Sequence, residues 1–187
     1  MKKRLFIAIN LPEQLKDKIE SVVADLAANT KFDNFRFSAK ENWHITITFL
    51  GDQNDAALIG ILKSLEEISG QFSPFEINIS DISYGPKGKG PKMIWLNCGS
   101  ETNSVLSVLK KELDSGLAEN KIPFRPEYRK MNAHITLARL QRANKEFPEL
   151  KINFQESFLA DSLDLMESFL DSTGSNYEIL QKAKLKL

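Results

Sequence analysis

Two stretches of this chain repeat the same succession of sequence patterns, and this repetition constrains the fold more than any other feature. Residues 5–9 form a short apolar run typical of a strand, an amphipathic helical stripe follows, and residues 43–50 are again strand-like. The same order returns from residues 93–97, through another helical stripe, to residues 133–140. Both halves therefore contain strands and helices, and we predict a fold of the mixed α and β kind.

The spacing within the two stretches is nearly equal. Phe6 precedes His44 by 38 positions, and Trp95 precedes His134 by 39. We predict a divergent internal duplication of β-α-β units, which is too short for a solenoid and fits two lobes facing one cleft about a pseudo-two-fold axis.

A Gly-, Pro- and Lys-rich segment at 85–92 separates the halves. We predict one domain, residues 1–187, with lobes of about 1–84 and 93–187 between which strands can be exchanged. At most one short helix is expected within 144–153. The remaining predicted elements are strands at 36–37, 75–84, 157–165 and 177–180, and helices whose apolar stripes span 15–26, 58–68 and 106–117.

Composition excludes several classes of protein. The 25 basic and 25 acidic residues cancel, so no net field draws the chain to nucleic acid, and any polyanion must be held locally. The single cysteine, Cys98, excludes an internal disulfide and a thiolate-rich metal site, and it is expected to be a packing residue. The apolar run after the basic N-terminus is shorter than the roughly 7–15 residues of a secretion signal or the about 20 of a membrane span. We expect a soluble cytoplasmic protein with no membrane partner.

The only two histidines occur in matched contexts, His44-Ile45-Thr46-Ile47 and His134-Ile135-Thr136-Leu137. One His-Ile-Thr run would favour an ordinary strand with no special chemistry. A matched pair in matched strands favours a site instead. Alternation along a strand puts each histidine and its threonine on one face, with the aliphatic residues on the other.

Strict alternation also gives expectations for the neighbouring positions. It places Thr48 beside His44 and Thr46, and it turns Phe49 toward the core. It places Arg139 on the face opposite His134, so a role for Arg139 in clamping a phosphate requires the strand to end or bulge nearby. Further candidates for phosphate contacts are Arg36, Arg125, Arg129 and Lys130.

Two imidazoles with ordinary pKa values near 6.5 suit a reaction in which one proton leaves a nucleophile while another joins a leaving oxygen. In-line displacement at phosphorus is such a reaction, and threonine hydroxyls can donate hydrogen bonds to the non-bridging oxygens. Zinc requires three or four ligands, and two histidines with one distant cysteine are too few. We expect neither a metal nor a cofactor.

With these motifs, the chain resembles the 2H phosphoesterase superfamily, which is named for paired His-x-Thr/Ser-x motifs. Within it, the chain is similar to the bacterial and archaeal RNA 2′,3′-cyclic phosphodiesterases, historically called 2′-5′ RNA ligases. The resemblance extends nearly end to end, over residues 4–12, 41–51, 94–96, 134–139, 163–168 and 177–180.

The resemblance implies a bilobal α+β fold with antiparallel sheets lining a central cleft and helices outside. It implies that His44 and His134 are the acid–base pair, that Thr46, Thr136 and Arg139 bind the phosphate, and that Phe49 lies near the nucleobase. The implied reaction opens a 2′,3′-cyclic phosphate to a 2′-phosphate without a metal. By this analogy, His44 protonates the departing O3′ and His134 activates water, with the reverse assignment also open.

Three functions are consistent with these residues. The first is hydrolysis of cyclic phosphates on RNA ends or small cyclic nucleotides by a monomeric enzyme of RNA processing. The second is action on 2′-5′ linkages, as phosphodiesterase or ligase, or on ADP-ribose cyclic phosphate. The third is non-catalytic binding of RNA ends, which the intact histidines and threonines argue against.

Overall fold

The computed structural model describes residues 2–86, 92–127, 129–142, 147–171 and 174–186. Its strands and helices are, in chain order, β1 (Lys3–Asn10), α1 (Glu13–Ala28), β2 (Phe35–Phe37), β3 (His44–Gln53), α2 (Asp55–Ser69), β4 (Phe75–Gly85), β5 (Met93–Cys98), α3 (Ser100–Glu119), β6 (His134–Leu140), β7 (Lys151–Ala160), β8 (Ser162–Asp171) and β9 (Gly174–Lys184).

Local chemistry explains where the first two helices begin and end. Pro12, which has no N–H to leave unpaired, directly precedes α1. The Asn54 side chain accepts a hydrogen bond from the backbone N–H of Ala57 at 2.9 Å and so caps α2, which ends before Gly70.

All strand pairs in the sheet are antiparallel, in the order β7-β4-β5-β6-β3-β1-β8-β9, and β2 pairs with β6 beside this path. The predicted α+β class with antiparallel strands is confirmed. The two central strands, β3 and β6, come from the two halves of the chain and meet with Ile45 opposite Ile135, both fully buried. The halves therefore share one continuous sheet.

Strand pairing also places strands of one half of the chain beside strands of the other half. The first half supplies β4, which pairs with β5 and β7 of the second half. The second half supplies β8, which pairs with β1 of the first. The division into lobes at 1–84 and 93–187 stays a prediction, but each half of the sheet contains a strand from the other half of the chain.

One face of the sheet forms the main core. The apolar stripes of all three helices pack there with alternate strand residues such as Ile7, Ile45 and Ile135. The opposite face of the central strands carries the histidines. None of the helices in the described ranges combines the length and apolar character that crossing a membrane requires.

The structure corrects the predicted boundaries near the C-terminus. The strand predicted at 157–165 is two strands, because the chain breaks at Asp161 between β7 and β8. The helix allowed within 144–153 is not found at 147–153, where β7 begins at Lys151; residues 143–146 lie outside the described part. The alternation of Ile152 and Phe154 in β7 is that of an edge strand with one face in contact with the core.

Candidate active site

A β-bulge in β3 decides which side chains accompany His44. In the pairing with β1, Ala8 lies opposite Thr46 and Ile7 opposite Thr48, so one step along β1 matches two along β3. Thr48 is consequently buried on the helix side, and the expectation that it lies beside His44 is wrong. Phe49 turns to the face of His44 and Thr46 and is 66% exposed, so its predicted burial in the core is also wrong.

The same irregularity occurs in β6. Trp95 lies opposite Thr136 and Ile94 opposite Ala138, so one step along β5 again matches two along β6. Leu137 and Ala138 are both fully buried. Arg139 is therefore exposed on the face of His134 and Thr136, and the bulge that a phosphate contact by Arg139 requires is present.

A partly buried polar cluster holds the bulge in β3. The Thr48 hydroxyl donates a hydrogen bond to Asp114 Oδ1 at 2.7 Å, and Lys110 Nζ donates to Thr48 Oγ1 at 3.1 Å and to Asp114 Oδ2 at 2.8 Å. Both partners belong to α3. Because an unpaired hydroxyl is costly to bury, these contacts favour the inward orientation of Thr48.

The central strand pair brings the two motifs together. With Ile45 opposite Ile135 in an antiparallel ladder, the next positions direct His44 toward Thr136 and Thr46 toward His134. Side chains directly opposite each other in such ladders have Cβ atoms about 4.5–5.5 Å apart. The four predicted polar side chains thus lie on adjacent strands and on one face.

Both histidines are oriented by the same backbone contact. His44 Nδ1 lies 2.8 Å from the carbonyl oxygen of Asn42, and His134 Nδ1 lies 2.7 Å from that of Asn132. A carbonyl only accepts, so Nδ1 carries the proton and the neutral ring keeps a lone pair on Nε2. His44 Nε2 is 3.1 Å from Thr46 Oγ1, which donates to it.

The imidazoles lie against different aromatic surroundings. His44 has Phe6 at 4.9 Å and Tyr177, edge-on, at 5.0 Å between ring centroids. His134 stacks on Trp95 with a centroid distance of 3.7 Å and an interplanar angle of 22°. A Cβ on Gly85 would lie 2.1 Å from the Trp95 ring, so the missing side chain makes room for the indole.

Sequence reasoning did not assign these aromatic residues to the site, although one signal was available. Phe6 and Trp95 are the residues whose spacing to the histidines revealed the duplication, and each contacts the histidine of its own half. Tyr177 comes from β9 and reaches His44 only through tertiary pairing of β9, β8 and β1. No local pattern marks it.

Burial and charge shift both histidines in the same direction. Burial, the largest cause, and the positive charge of Arg139 together lower the pKa of His44 to about 4, against the opposing effect of the hydrogen bond to Asn42 O. Burial also lowers the pKa of His134, again with a contribution from Arg139. One guanidinium thus lowers the pKa of both imidazoles.

The other residues singled out from the sequence lie in several places. Phe49 and Arg125 line an open depression of about 450 Å³. Arg36 lies opposite Arg139 in the β2–β6 pair. Arg129 forms an ion pair with Glu127, and Lys130 is exposed. Cys98 is buried in contact with the main core, and burial raises the pKa of its thiol to about 12.

Within the part of the chain that the structure describes, no group of three or more His, Cys, Asp or Glu side chains is placed to hold a metal ion. The polar side chains of the two motif strands on this face carry imidazole, hydroxyl and guanidinium groups. Such a set can exchange protons and bind a phosphate.

Residues 9–95 match the family model of the LigT like phosphoesterases. The chain is 25% identical to an RNA 2′,3′-cyclic phosphodiesterase of Archaeoglobus fulgidus, covering 95% of this chain and 98% of that protein. It is 28% identical to an RNA 2′,3′-cyclic phosphodiesterase of Methanocaldococcus jannaschii, covering 96% and 99%. The resemblance to the 2H phosphoesterases, and within them to the LigT-like group, is confirmed.

Solved structures share the fold. The crystal structure of TT0787 of Thermus thermophilus superposes with a TM-score of 0.83 at 22% identity, covering 98% of both chains. That of Escherichia coli LigT complexed with 3′-AMP superposes with a TM-score of 0.78 at 22% identity, covering 100% of both.

Proposed function

We propose that this protein is an RNA 2′,3′-cyclic phosphodiesterase that opens the cyclic ester to a 2′-phosphate by acid–base catalysis with two histidines. The observation that carries the proposal is the convergence of His44, Thr46, His134 and Thr136 on one face of two adjacent strands. The names of the archaeal relatives support the substrate class, since both are RNA 2′,3′-cyclic phosphodiesterases.

The reaction needs one proton acceptor and one proton donor. His134 Nε2 removes a proton from water as its oxygen bonds to phosphorus, and His44 Nε2–H gives a proton to O3′ as the P–O3′ bond breaks. The products are the free 3′-hydroxyl and the 2′-phosphate. This assignment follows the resemblance, and the reverse assignment uses the same two nitrogen atoms.

Both steps depend on the backbone contacts described above. Since the carbonyl oxygens of Asn42 and Asn132 fix the protons on Nδ1, each Nε2 is left to exchange protons with the substrate. The Thr46 and Thr136 hydroxyls and the Arg139 guanidinium bind the non-bridging oxygens, where negative charge accumulates.

Protonation of His44 requires the substrate. A pKa of about 4 leaves this ring neutral in the free protein near pH 7. A bound phosphate places a negative charge beside the ring, which favours the imidazolium form and raises its pKa. The donor is therefore formed as the substrate binds.

The test is incubation of the purified protein with an RNA bearing a 2′,3′-cyclic end, in the presence of EDTA. We expect a 2′-phosphate as the only new end. A 3′-phosphate as the only product would contradict cleavage of the P–O3′ bond, and complete inhibition by EDTA that added metal reverses would contradict a metal-free reaction.

A substrate panel separates the other functions, which share the same residues. Faster turnover of 2′-5′ linkages or of ADP-ribose cyclic phosphate than of RNA cyclic ends would replace the proposed substrate. Tight binding of RNA ends with no turnover of any of them would identify a binding protein. We further propose that the protein is a cytoplasmic monomer, which sedimentation of the purified protein tests for the oligomeric state.

A nitrophenyl phosphodiester distinguishes the two acid–base assignments. Its leaving group departs without a proton, so loss of the general acid costs less with this ester than with a ribose cyclic phosphate. We expect His44→Ala to lose less activity on the nitrophenyl ester than His134→Ala does. The opposite order would assign the acid to His134.

A further inference from the structure

Two arginines lie directly opposite each other at the margin of the site. In the β2–β6 pair, Arg36 lies opposite Arg139. The flanking pairs are Phe35 with Leu140 and Phe37 with Ala138. Directly opposed residues of an antiparallel pair project from the same face. Arg139 lies on the face of the histidines, so Arg36 does as well.

The position of β2 is firmly held. Backbone hydrogen bonds of 2.8 Å run from Ser38 N to Leu137 O and from Gln141 N to Asn34 O, one beyond each end of this short strand. Phe35 is buried, and its ring stacks on that of Tyr84 with a centroid distance of 5.9 Å. The structure therefore fixes Arg36 beside Arg139 rather than leaving it on a free loop.

Like charges opposite each other destabilise a strand pair. In the described ranges, the one arginine that forms an ion pair is Arg129, and neither Arg36 nor Arg139 has a carboxylate partner. Arg139 Nη1 contacts Met93 Sδ at 3.5 Å, which neutralises no charge. Both exposed guanidinium groups are thus available to an anion.

The two arginines lie together at one end of the site. Arg139 lowers the pKa of both His44 and His134. β2 and β3 pair with the same edge of β6, β2 at Ala138–Leu140 and β3 at Ile135. The Arg36–Arg139 pair therefore lies about 10 Å along β6 from Ile135, at about 3.3 Å for each of three steps along the facing β5. A guanidinium has five N–H donors, so Arg139 can bind the reacting phosphate and also share with Arg36 a second anion beside it.

We propose that Arg36 and Arg139 form a second phosphate subsite, which binds the phosphate on the 5′ oxygen of the nucleoside that carries the cyclic ester. The proposal rests on the proposed function. In an RNA this group is the last internal phosphodiester, so the subsite makes the enzyme prefer an oligonucleotide end to a cyclic mononucleoside. A planar guanidinium suits this role because it donates two parallel hydrogen bonds to one phosphate.

The test compares kcat/KM for three substrates: a nucleoside 2′,3′-cyclic phosphate, the same compound with a 5′-phosphate, and a dinucleotide with a 2′,3′-cyclic end. We expect the wild type to prefer the second and third over the first by about tenfold, as one charged phosphate contact provides. Arg36→Gln should abolish this preference, and the preference should persist in Lys63→Gln, which removes the same charge from exposed Lys63 on α2.

Different outcomes would overturn different parts of the proposal. No preference in the wild type, or an unchanged preference in Arg36→Gln, would overturn the subsite. A preference for the 5′-phosphate that the dinucleotide does not share would overturn the assignment to RNA. Arg36→Lys keeps the positive charge but not the planar guanidinium, and it should retain part of the preference. An equal loss of the preference in Arg36→Lys and Arg36→Gln would overturn recognition by charge.

Binding of unreactive ligands distinguishes this proposal from the proposed function. A nucleoside 2′,5′-bisphosphate should bind the wild type about tenfold more tightly than the 2′-monophosphate by calorimetry, and Arg36→Gln should reduce this ratio. If no cyclic ester is opened, the proposed function fails while this ratio still tests the subsite. Equal ratios in the wild type and Arg36→Gln, both folded, would overturn it.

Discussion

The two motif strands have the same backbone course but place different side chains at equivalent positions. Each runs from a histidine through a threonine to two consecutive buried residues and then to an exposed one. The exposed residue is Phe49 in β3 and Arg139 in β6. In both strands a bulge turns this residue to the histidine face.

The difference shows how a duplicated strand can serve one asymmetric ligand. A nucleotide has a flat apolar base and a charged phosphate, and the two halves offer an aromatic ring and a guanidinium from matched positions. The histidines and threonines are the shared part of the site, and the residue after each bulge distinguishes the halves.

The largest expected effect concerns the shared part. His44→Ala and His134→Ala should each lower kcat by about 10²–10⁴-fold, because each removes one partner of an acid–base pair. Steady-state assays measure the loss, and circular dichroism verifies the fold. Near-normal turnover by either folded variant would show that the two halves do not share the chemistry.

The next prediction compares Arg139 with Phe49, the two residues that differ between the motif strands. Arg139→Gln should lower kcat/KM for every cyclic phosphate by about 10- to 100-fold, the range of a charged phosphate contact. Phe49→Leu should have a smaller effect that grows with the size of the base. Equal losses in the two variants on every substrate would contradict the division between a base side and a phosphate side.

Arg139→Gln should also raise the pKa of both histidines, because its charge lowers both in the wild type. The chain has only two histidines, so their two imidazole signals can be followed by NMR titration without further labelling. Lys63→Gln is the matched control for loss of one positive charge. An upward shift of the pKa of only one histidine would contradict an effect of the Arg139 charge on both.

The third prediction concerns how the free energy of unfolding changes with pH, which depends on the pKa of each histidine. His44 has a folded-state pKa of about 4, below its ordinary value of 6.5, so the unfolded chain binds more protons between these values. The stability from the neutral ring is fully present above pH 6.5 and is lost as the pH falls toward 4. From pH 6.5 to 5, the wild type should lose about 1.5 kcal/mol more than His44→Gln.

Urea unfolding at the two pH values measures this difference, since contributions from other groups largely cancel between the two proteins. The corresponding difference for His134→Gln should have the same sign, because the pKa of His134 is also lowered. A His44→Gln variant that loses as much stability as the wild type on acidification would contradict the lowered pKa.

The smallest effect concerns the bulges themselves. Thr48 binds Asp114 and Lys110, whereas the matching position in β6 is Ala138, which is fully buried without a polar group. Thr48→Val should destabilise the protein by about 1–2 kcal/mol by removing buried hydrogen bonds. A loss below about 0.3 kcal/mol in urea unfolding would show that packing alone holds both bulges.

The sequence was sufficient to predict the helices, most strands and the convergence of the paired motifs, because these follow from periodicity and from the repeat. It failed at Thr48 and Phe49, since a bulge reverses alternation and is stabilised by partners such as Asp114, 66 positions from Thr48. Tyr177 was missed for a related reason. Its contact with His44 depends on the order of strands in space, which no local pattern encodes.

The crossing of β4 and β8 between the halves has a consequence for how the chain can be divided. A gene cut between β4 and β5 yields a first polypeptide that carries strands β2 and β4, which pair with strands of the second polypeptide, and lacks β8 and β9, which extend the sheet beyond β1. Each piece on its own exposes unpaired sheet edges. Co-expressed, the pieces have complementary edges, so this scaffold is suited to reconstitution from two polypeptides rather than to use as a single lobe.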